Sequence, residues 1–275
     1  MQVSNIIIIT ILVLIVIFFI SRVFFQTDII YDMMCNARET YDAGINEIDN
    51  QDLKDSTTSN FMLSVWFYVN NWSTDINQEK NILFVSNSSE NDSTFTEIVN
   101  NFSGISNSRC DTSTGSSYKN LNICLGKYEN NLFIDIETAA TTSCNGSTFT
   151  RYIIKNIPIQ KWNCLTLSVD TKTFDVYLDG KLRNSFILPG IYHNGLNDPN
   201  RNRTIYIGNI NSSSAPGFEG FITRIRYQPN AINPQEAYNI YKEGISASLA
   251  KSLFNKYGLK VSFLEYNTEK HSFSI

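Results

Sequence analysis

The stretch Ile157-Pro-Ile-Gln-Lys-Trp-Asn-Cys-Leu-Thr-Leu-Ser-Val-Asp-Thr-Lys-Thr-Phe-Asp-Val-Tyr-Leu-Asp-Gly-Lys181 reads as a β-meander. From Asn163 to Asp170 the residues alternate: Cys164, Thr166, Ser168 and Asp170 fall on one face, and Leu165, Leu167 and Val169 on the other. Period-two alternation of β-branched and apolar residues is the strand signal. Asp170-Thr171-Lys172 turns the chain, and Thr173 to Leu178 alternates again with Phe174, Val176 and Leu178 on one face. Asp179-Gly180 suits a tight hairpin whose two central residues both need positive φ. A third strand follows from Lys181 to Leu188, giving the skeleton of an antiparallel sheet.

The same stretch carries a resemblance. A lone Trp162 opening a strand, then Leu167-Ser-Val-Asp170, then Val176-Tyr-Leu-Asp-Gly-Lys-Leu182, resembles the central signature of laminin-G-like domains of the concanavalin A-like jelly-roll superfamily. Phe61–Val69 resembles that family's first long strand, and Leu125–Ile134 its "lg…ngrL" hairpin. Thr204–Asn209, Gly217–Tyr227 and Ala231–Glu236 resemble its later strands and the start of its terminal helix, in the family's order. The resemblance covers roughly residues 60 to 244 and implies an all-β, antiparallel jelly-roll sandwich. It implies no single activity, because one fold hosts many.

Outward from that centre, strands are predicted at 61–69, 81–86, 94–99, 121–127, 131–138, 148–155, 163–170, 173–179, 182–188, 203–208 and 218–228, with Asn/Ser-rich loops between them. Asn233 to Gly244 reads as a helix: Asn233 caps it, Pro234 suits the first turn, Glu236 favours the positive end and Gly244 stops it. A second helix is predicted at about Ser246 to Tyr257, followed by a strand from Lys260 to Tyr266. Four units result: an anchor at 1–25, a polar connector at 26–60, the sandwich at 61–244 and a C-terminal extension at 245–275. A competing reading places a short N-terminal strand of the sandwich near Ile29 to Tyr31.

Residues 6–25 are apolar except for Thr10, Ser21 and Arg22. Twenty helical residues span about 30 Å, the thickness of a hydrocarbon core. No Lys or Arg precedes the run and no Ala-x-Ala-like site follows it, so an uncleaved transmembrane helix is expected rather than a signal peptide. Arg22 and Arg38 follow the segment and favour a cytoplasmic C-terminal side; the cysteines and sequons point the other way. A lipid bilayer is therefore an expected partner. The bias towards Asn, Ile, Ser and Thr fits an AT-rich coding sequence, and the reading extends to a virion membrane protein of a large DNA virus. With net charge −4 and 17% charged residues there is no basic patch, which points away from nucleic acid.

Five cysteines are present. Cys110 and Cys144 lie in polar loops and form the candidate disulfide; the alternative is free thiols, with Cys124 and Cys164 as ordinary core residues. Cys35, left over, is a candidate link between two chains near the membrane. Asn71, Asn87, Asn91, Asn101, Asn145, Asn202 and Asn211 head Asn-x-Ser/Thr sequons. Their number is close to chance for this composition, so they mark candidate sugar sites and do not establish secretion.

The superfamily's β-glucanases resemble one another in a strand motif, Glu-x-Asp-x-Glu, which puts a nucleophile, a tuning Asp and an acid/base on one strand face. Phe133-Ile134-Asp135-Ile136-Glu137 matches only the second and third positions, and Phe133 stands where the nucleophile would be. Hydrolysis is therefore not expected; the strand reads as having one polar and one apolar face, with Leu132, Ile134 and Ile136 inward. His193 and His271 belong to no nucleophile pattern, and no Gly-x-Ser-x-Gly occurs. No cofactor or metal is expected. Relatives of this kind bind calcium through loop acids, but Asp92, Asp111, Asp179 and Asp198 form no ligand string, and Asp179 belongs to its turn. Trp66 and Trp162 match family core positions, leaving Trp72 and Tyr192, in loops, as ring-stacking candidates for a ligand. The expectation is a non-catalytic, membrane-anchored binding or structural module with a protein or glycan partner at its loop face. The alternatives are a carbohydrate-binding lectin-like protein and a divergent β-glucan hydrolase.

Overall fold

The computed structural model describes residues 28–39, 42, 45, 47–48, 59–86, 109–110, 119–139, 148–192, 204–210, 216–245, 260–265 and 268–274. Its strands are β1 (Ile29–Tyr31), β2 (Cys35–Asn36), β3 (Glu47–Ile48), β4 (Phe61–Asn71), β5 (Lys80–Ser86), β6 (Arg109–Cys110), β7 (Lys119–Leu125) and β8 (Leu132–Thr138). They continue with β9 (Thr148–Ile154), β10 (Trp162–Asp170), β11 (Thr173–Leu178), β12 (Lys181–Ile187), β13 (Thr204–Ile207), β14 (Glu219–Gln228), β15 (Lys260–Glu265) and β16 (Thr268–Ser274). The helix α1 (Pro234–Glu243) follows β14.

Two seven-stranded antiparallel sheets form the sandwich. The first runs β1-β14-β4-β10-β11-β12, with β2 also on β14; the second runs β3-β13-β5-β7-β8-β9-β6. The meander closes as its alternation requires: β10 pairs β11 from Leu165↔Leu178 to Asp170↔Thr173. At the hairpin, Asp179 and Gly180 sit at φ 52° and 71°, the twist-matched two-residue turn. Inward residues of both sheets, among them Phe67, Leu165, Leu167, Ile123, Ile134 and Ile205, merge in one core. Each such side chain, fully buried, contributes about 1.5–3 kcal/mol. Tyr152 of β9 bridges the sheets at one side, its ring 5.3 Å from Phe174 and 4.5 Å from Phe186.

The sandwich begins before Phe61. Ile29 pairs with Arg226 and Cys35 with Ile222, so part of the segment expected as a connector supplies strands to the first sheet. The fit is tight at Gly217, where an added Cβ would fall 1.6 Å from the Ala37 carbonyl oxygen. Cys35 is 2% exposed and donates to the Asn36 carbonyl; buried there, its thiol is not placed to link two chains. Among the described residues no helix is long and apolar enough to cross a membrane. The anchor at residues 1–25, the strand at 94–99, the helix at 246–257 and the Cys110–Cys144 pairing fall wholly or partly outside the described residues. So do the sequons at Asn87, Asn91, Asn101, Asn145, Asn202 and Asn211. β15 lies where a strand was expected and pairs with β16.

Helix α1 is built as its sequence dictates. The Asn233 side chain accepts from the Glu236 backbone N–H, and the Glu236 carboxylate accepts from the Asn233 N–H. This reciprocal capping box satisfies two donors that the first turn leaves unpaired. Ala237 and Ile240 are buried, and Ile240 packs with Met62, Trp66 and Cys164 on the outer face of the first sheet. The far end is tied down by Glu243, which accepts from Arg224 at 2.9 Å and from Arg226. Arg224 also donates to the Gly244 carbonyl at 2.6 Å. Arg224 itself sits at φ 50°, in a bulge of β14 that turns both arginines towards the helix.

Candidate functional site

The same alternation that sends Leu165, Leu167 and Val169 inward sends Trp162, Cys164, Thr166 and Ser168 to the outer face of the first sheet. On β4 the outward positions are Met62, Ser64, Trp66 and Tyr68. The register sets Tyr68 opposite Trp162 and Trp66 opposite Cys164. Cross-strand partners on one face lie about 4.5–5.5 Å apart at Cβ, so the two Trp and the Tyr are gathered into one aromatic patch. The Tyr68 and Trp162 rings are 5.6 Å apart and tilted by 51°.

Helix α1 supplies the facing wall. Tyr241 lies against Trp66, ring centroids 5.8 Å apart and planes 13° from parallel. Between strand ends and helix runs a groove of about 590 Å³ lined by Trp66, Tyr68, Gln160, Lys161, Trp162, Tyr241, Lys242 and Gly244. Tyr68, Trp162 and Tyr241 are half-buried, and Gln160, Lys161 and Lys242 are exposed. Trp66 is 5% exposed, and its indole N–H has no hydrogen-bond partner. A buried donor left unpaired costs about 1–3 kcal/mol.

The charged arms are positioned from behind. Asp179, in the hairpin turn, accepts from the Cys164 backbone N–H at 3.0 Å with one oxygen and from Lys161 Nζ at 2.7 Å with the other. That hydrogen bond raises the Lys161 pKa above its usual value. Lys242 Nζ lies over the Tyr238 ring, 5.7 Å from its centroid. Burial pushes the Cys164 thiol up to about 11, so beneath the groove it is a small neutral side chain rather than a nucleophile.

The second sheet carries a different polar cluster on its outer face. Arg151 of β9 holds Asp135 at 2.6 and 2.8 Å and Glu79 at 2.7 and 3.1 Å, and lies 4.7 Å from the Phe133 ring centroid. Burial pulls the Arg151 pKa down, but the hydrogen bonds of Asp135 and Glu79 more than reverse it. Asn122 donates to Asp135 at 2.9 Å and Asn120 to Glu137 at 3.3 Å. Asp135, Glu137, Asn120 and Asn122 are all buried. The strand has the expected polar and apolar faces, yet its polar face is enclosed. Asp135 is spent on Arg151, and Phe133 packs beneath that guanidinium.

The two loop aromatics singled out by the sequence are placed structurally. Tyr192 is buried with its ring 4.6 Å from Phe61. Trp72 packs against the core, donates to the Lys127 carbonyl at 3.2 Å, and carries Lys80 over its ring. Trp66 is buried, as expected, in the cluster under α1 and forms the floor of the groove, whereas Trp162, also expected in the core, is half-buried and lines it. The parity signal was already in the sequence, since Trp162 shares its face with Cys164 and not with Leu165. Tyr241 and Lys242 carried no signal, because only the docking of α1 brings them to Trp66. At the exposed sequon residue Asn71, the side-chain carbonyl accepts from the Ser73 N–H and hydroxyl.

No protein-family model matches the sequence, and no curated protein matches it significantly. Among solved structures, the chain is similar to the receptor-binding domain of botulinum neurotoxin D at 13% identity and a TM-score of 0.44, over 78% of this chain and 44% of that one. It is similar to the receptor-binding domain of a botulinum neurotoxin C/D mosaic serotype at 10% identity and a TM-score of 0.42, over 72% of this chain and 40% of that one. It is also similar to domain 4 of AbnA, an extracellular arabinanase of Geobacillus stearothermophilus solved with arabinotriose, at 16% identity and a TM-score of 0.40 over 71% of each chain. The chain thus spans about two fifths of the length of the neurotoxin domains. These likenesses are too distant to carry an argument about function, and the sandwich rests on its own strand pairing.

Proposed function

We propose that this chain is a non-catalytic binding module, built on a laminin-G-like sandwich, that takes a saccharide in the groove between the first sheet and α1. The observation that carries this reading is the aromatic groove itself. Sugar rings present C–H faces that pack on aromatic side chains while their hydroxyls reach polar groups at the rim. Trp66, Tyr68, Trp162 and Tyr241 supply the rings, and Gln160, Lys161 and Lys242 supply the rim. Support for the absence of hydrolysis comes from Phe133 at the nucleophile position and from Asp135 held by Arg151. Residues 1–25 extend the proposal: an apolar helix that holds the module at a membrane, such as that of a virion.

A glycan array probed with the full chain in detergent tests the reading. Binding to at least one oligosaccharide is expected, and it falls about tenfold or more in Trp162→Ala and Tyr241→Ala while both variants keep a cooperative thermal transition. No binding across the array, or binding that both substitutions leave intact, overturns it.

A further inference from the structure

The hydrogen-bonding groups around the groove are unequal in kind. Donors dominate: the ammonium groups of Lys161 and Lys242 and the Gln160 amide, one of whose protons goes to the Asn70 carbonyl. Among the described residues no Asp or Glu lines the groove, and the Gly244 carbonyl already accepts from Arg224. A neutral saccharide presents hydroxyls that donate as well as accept, and buried or half-buried hydroxyl protons without acceptors are costly. Neutral-sugar recognition therefore calls for carboxylate or amide acceptors, and among the described lining side chains the Gln160 carbonyl is the one such group, with the tyrosine hydroxyls beside it. An acceptor-only group fits better. Lys161 gives one of its three protons to Asp179 and keeps two for a ligand. Its side chain is 57% exposed while Asp179 is 17% exposed, so the carboxylate sits behind the ammonium.

We propose that the groove selects an anionic saccharide, with a carboxylate or sulfate of the sugar met by Lys161 and Lys242 at the rim. This rests on the saccharide reading above and names its class. Asp179 is then a positioning residue: it fixes the Lys161 ammonium at the rim through the hairpin turn.

The test uses an array of uronate-, sialate- and sulfate-bearing oligosaccharides beside neutral counterparts, with the full chain in detergent. Each binder is then titrated against its methyl-esterified or desulfated form in wild type, Lys242→Gln and Lys161→Gln. The expected result is that neutralising the sugar weakens binding about tenfold in wild type at low salt, and that the difference shrinks in either Lys variant and at high salt. Both lysines are exposed, so the variants are expected to fold, and their circular dichroism checks it. Carboxylate-only binders identify uronates or sialates as the source, and sulfate-only binders sulfated sugars. Equal binding of charged and neutralised forms, or binding confined to neutral sugars, overturns this inference and leaves the saccharide reading standing. Binding to no saccharide at all overturns both.

Discussion

Trp66 of β4 and Tyr241 of α1 lie ring against ring, 5.8 Å apart and 13° from parallel. They are 175 positions apart in sequence, and nothing but the docking of one short helix joins them. The groove therefore stands or falls with the helix. Asn233→Ala removes the reciprocal cap and is expected to cost about 1 kcal/mol. Urea unfolding measures that cost. Near-ultraviolet circular dichroism of the aromatic groove is expected to weaken with it, and an unchanged spectrum at equal helix content would separate the ring pair from the cap.

Gly180 joins the hairpin to the same helix. Its φ of 71° is unfavourable for other residues, and a Cβ there would lie 2.8 Å from the Tyr241 Cβ and 3.0 Å from the Tyr238 Cα. Gly180→Ala is expected to destabilise by about 1–3 kcal/mol, from the left-handed backbone together with the contact. A variant as stable as wild type in thermal melts would show that α1 can move off the turn at no cost.

Much of this was legible beforehand, and where it was not the reason is physical. The meander, its faces and its Asp179-Gly180 turn follow from period-two alternation and from the φ that the turn demands, both local properties. The cap, Pro234 and Gly244 of α1 are equally local. Burial is not local. Tyr192 stood in a Gly/Asn/Pro-rich segment yet packs on Phe61, because a long loop can return to a core. Trp66 and Trp162 are apolar enough for any core, and only their register parity puts them on the outer face. The strand β1 matches the competing reading of a short strand near Ile29 to Tyr31, whereas β2 was obscured by Asp and Asn neighbours. Their pairing partner β14 lies almost 200 residues away, and no local pattern encodes that distance.

Arg151 carries the second sheet's buried charge. Replacing it with Leu leaves Glu79 and Asp135 facing each other without a counter-ion, and breaking such a pair costs about 3–5 kcal/mol. Arg151→Leu is therefore expected to shift the urea midpoint far below that of wild type at neutral pH. A loss under about 1 kcal/mol would mean that water reaches the cluster.

Alkaline pH tests the thiol beneath the groove. Burial pushes Cys164 from 9.0 up to about 11, and burial raises Cys124 as well. Above about pH 9 an unfolded thiol loses its proton while the folded one keeps it. Stability is thus full below pH 9 and declines as pH rises towards 11, by about 2–3 kcal/mol for a shift of this size. Cys164→Ala is expected to flatten part of that decline between pH 8 and pH 11 in urea titrations. An equal decline in the variant would place the sensitivity elsewhere.

The most direct measurement of the central claim uses the three tryptophans of the chain. Their indole N–H signals are followed by nitrogen-15 nuclear magnetic resonance while an array-positive oligosaccharide is titrated into the full chain in detergent. Trp66 and Trp162 line the groove, whereas Trp72 already donates to the Lys127 carbonyl. The saccharide reading of the groove predicts that the half-buried Trp162 signal moves furthest with the ligand, that Trp66 follows through its ring contact with Tyr241, and that Trp72 stays. Movement of Trp72 alone, or bound ligand with Trp66 and Trp162 still, would contradict it.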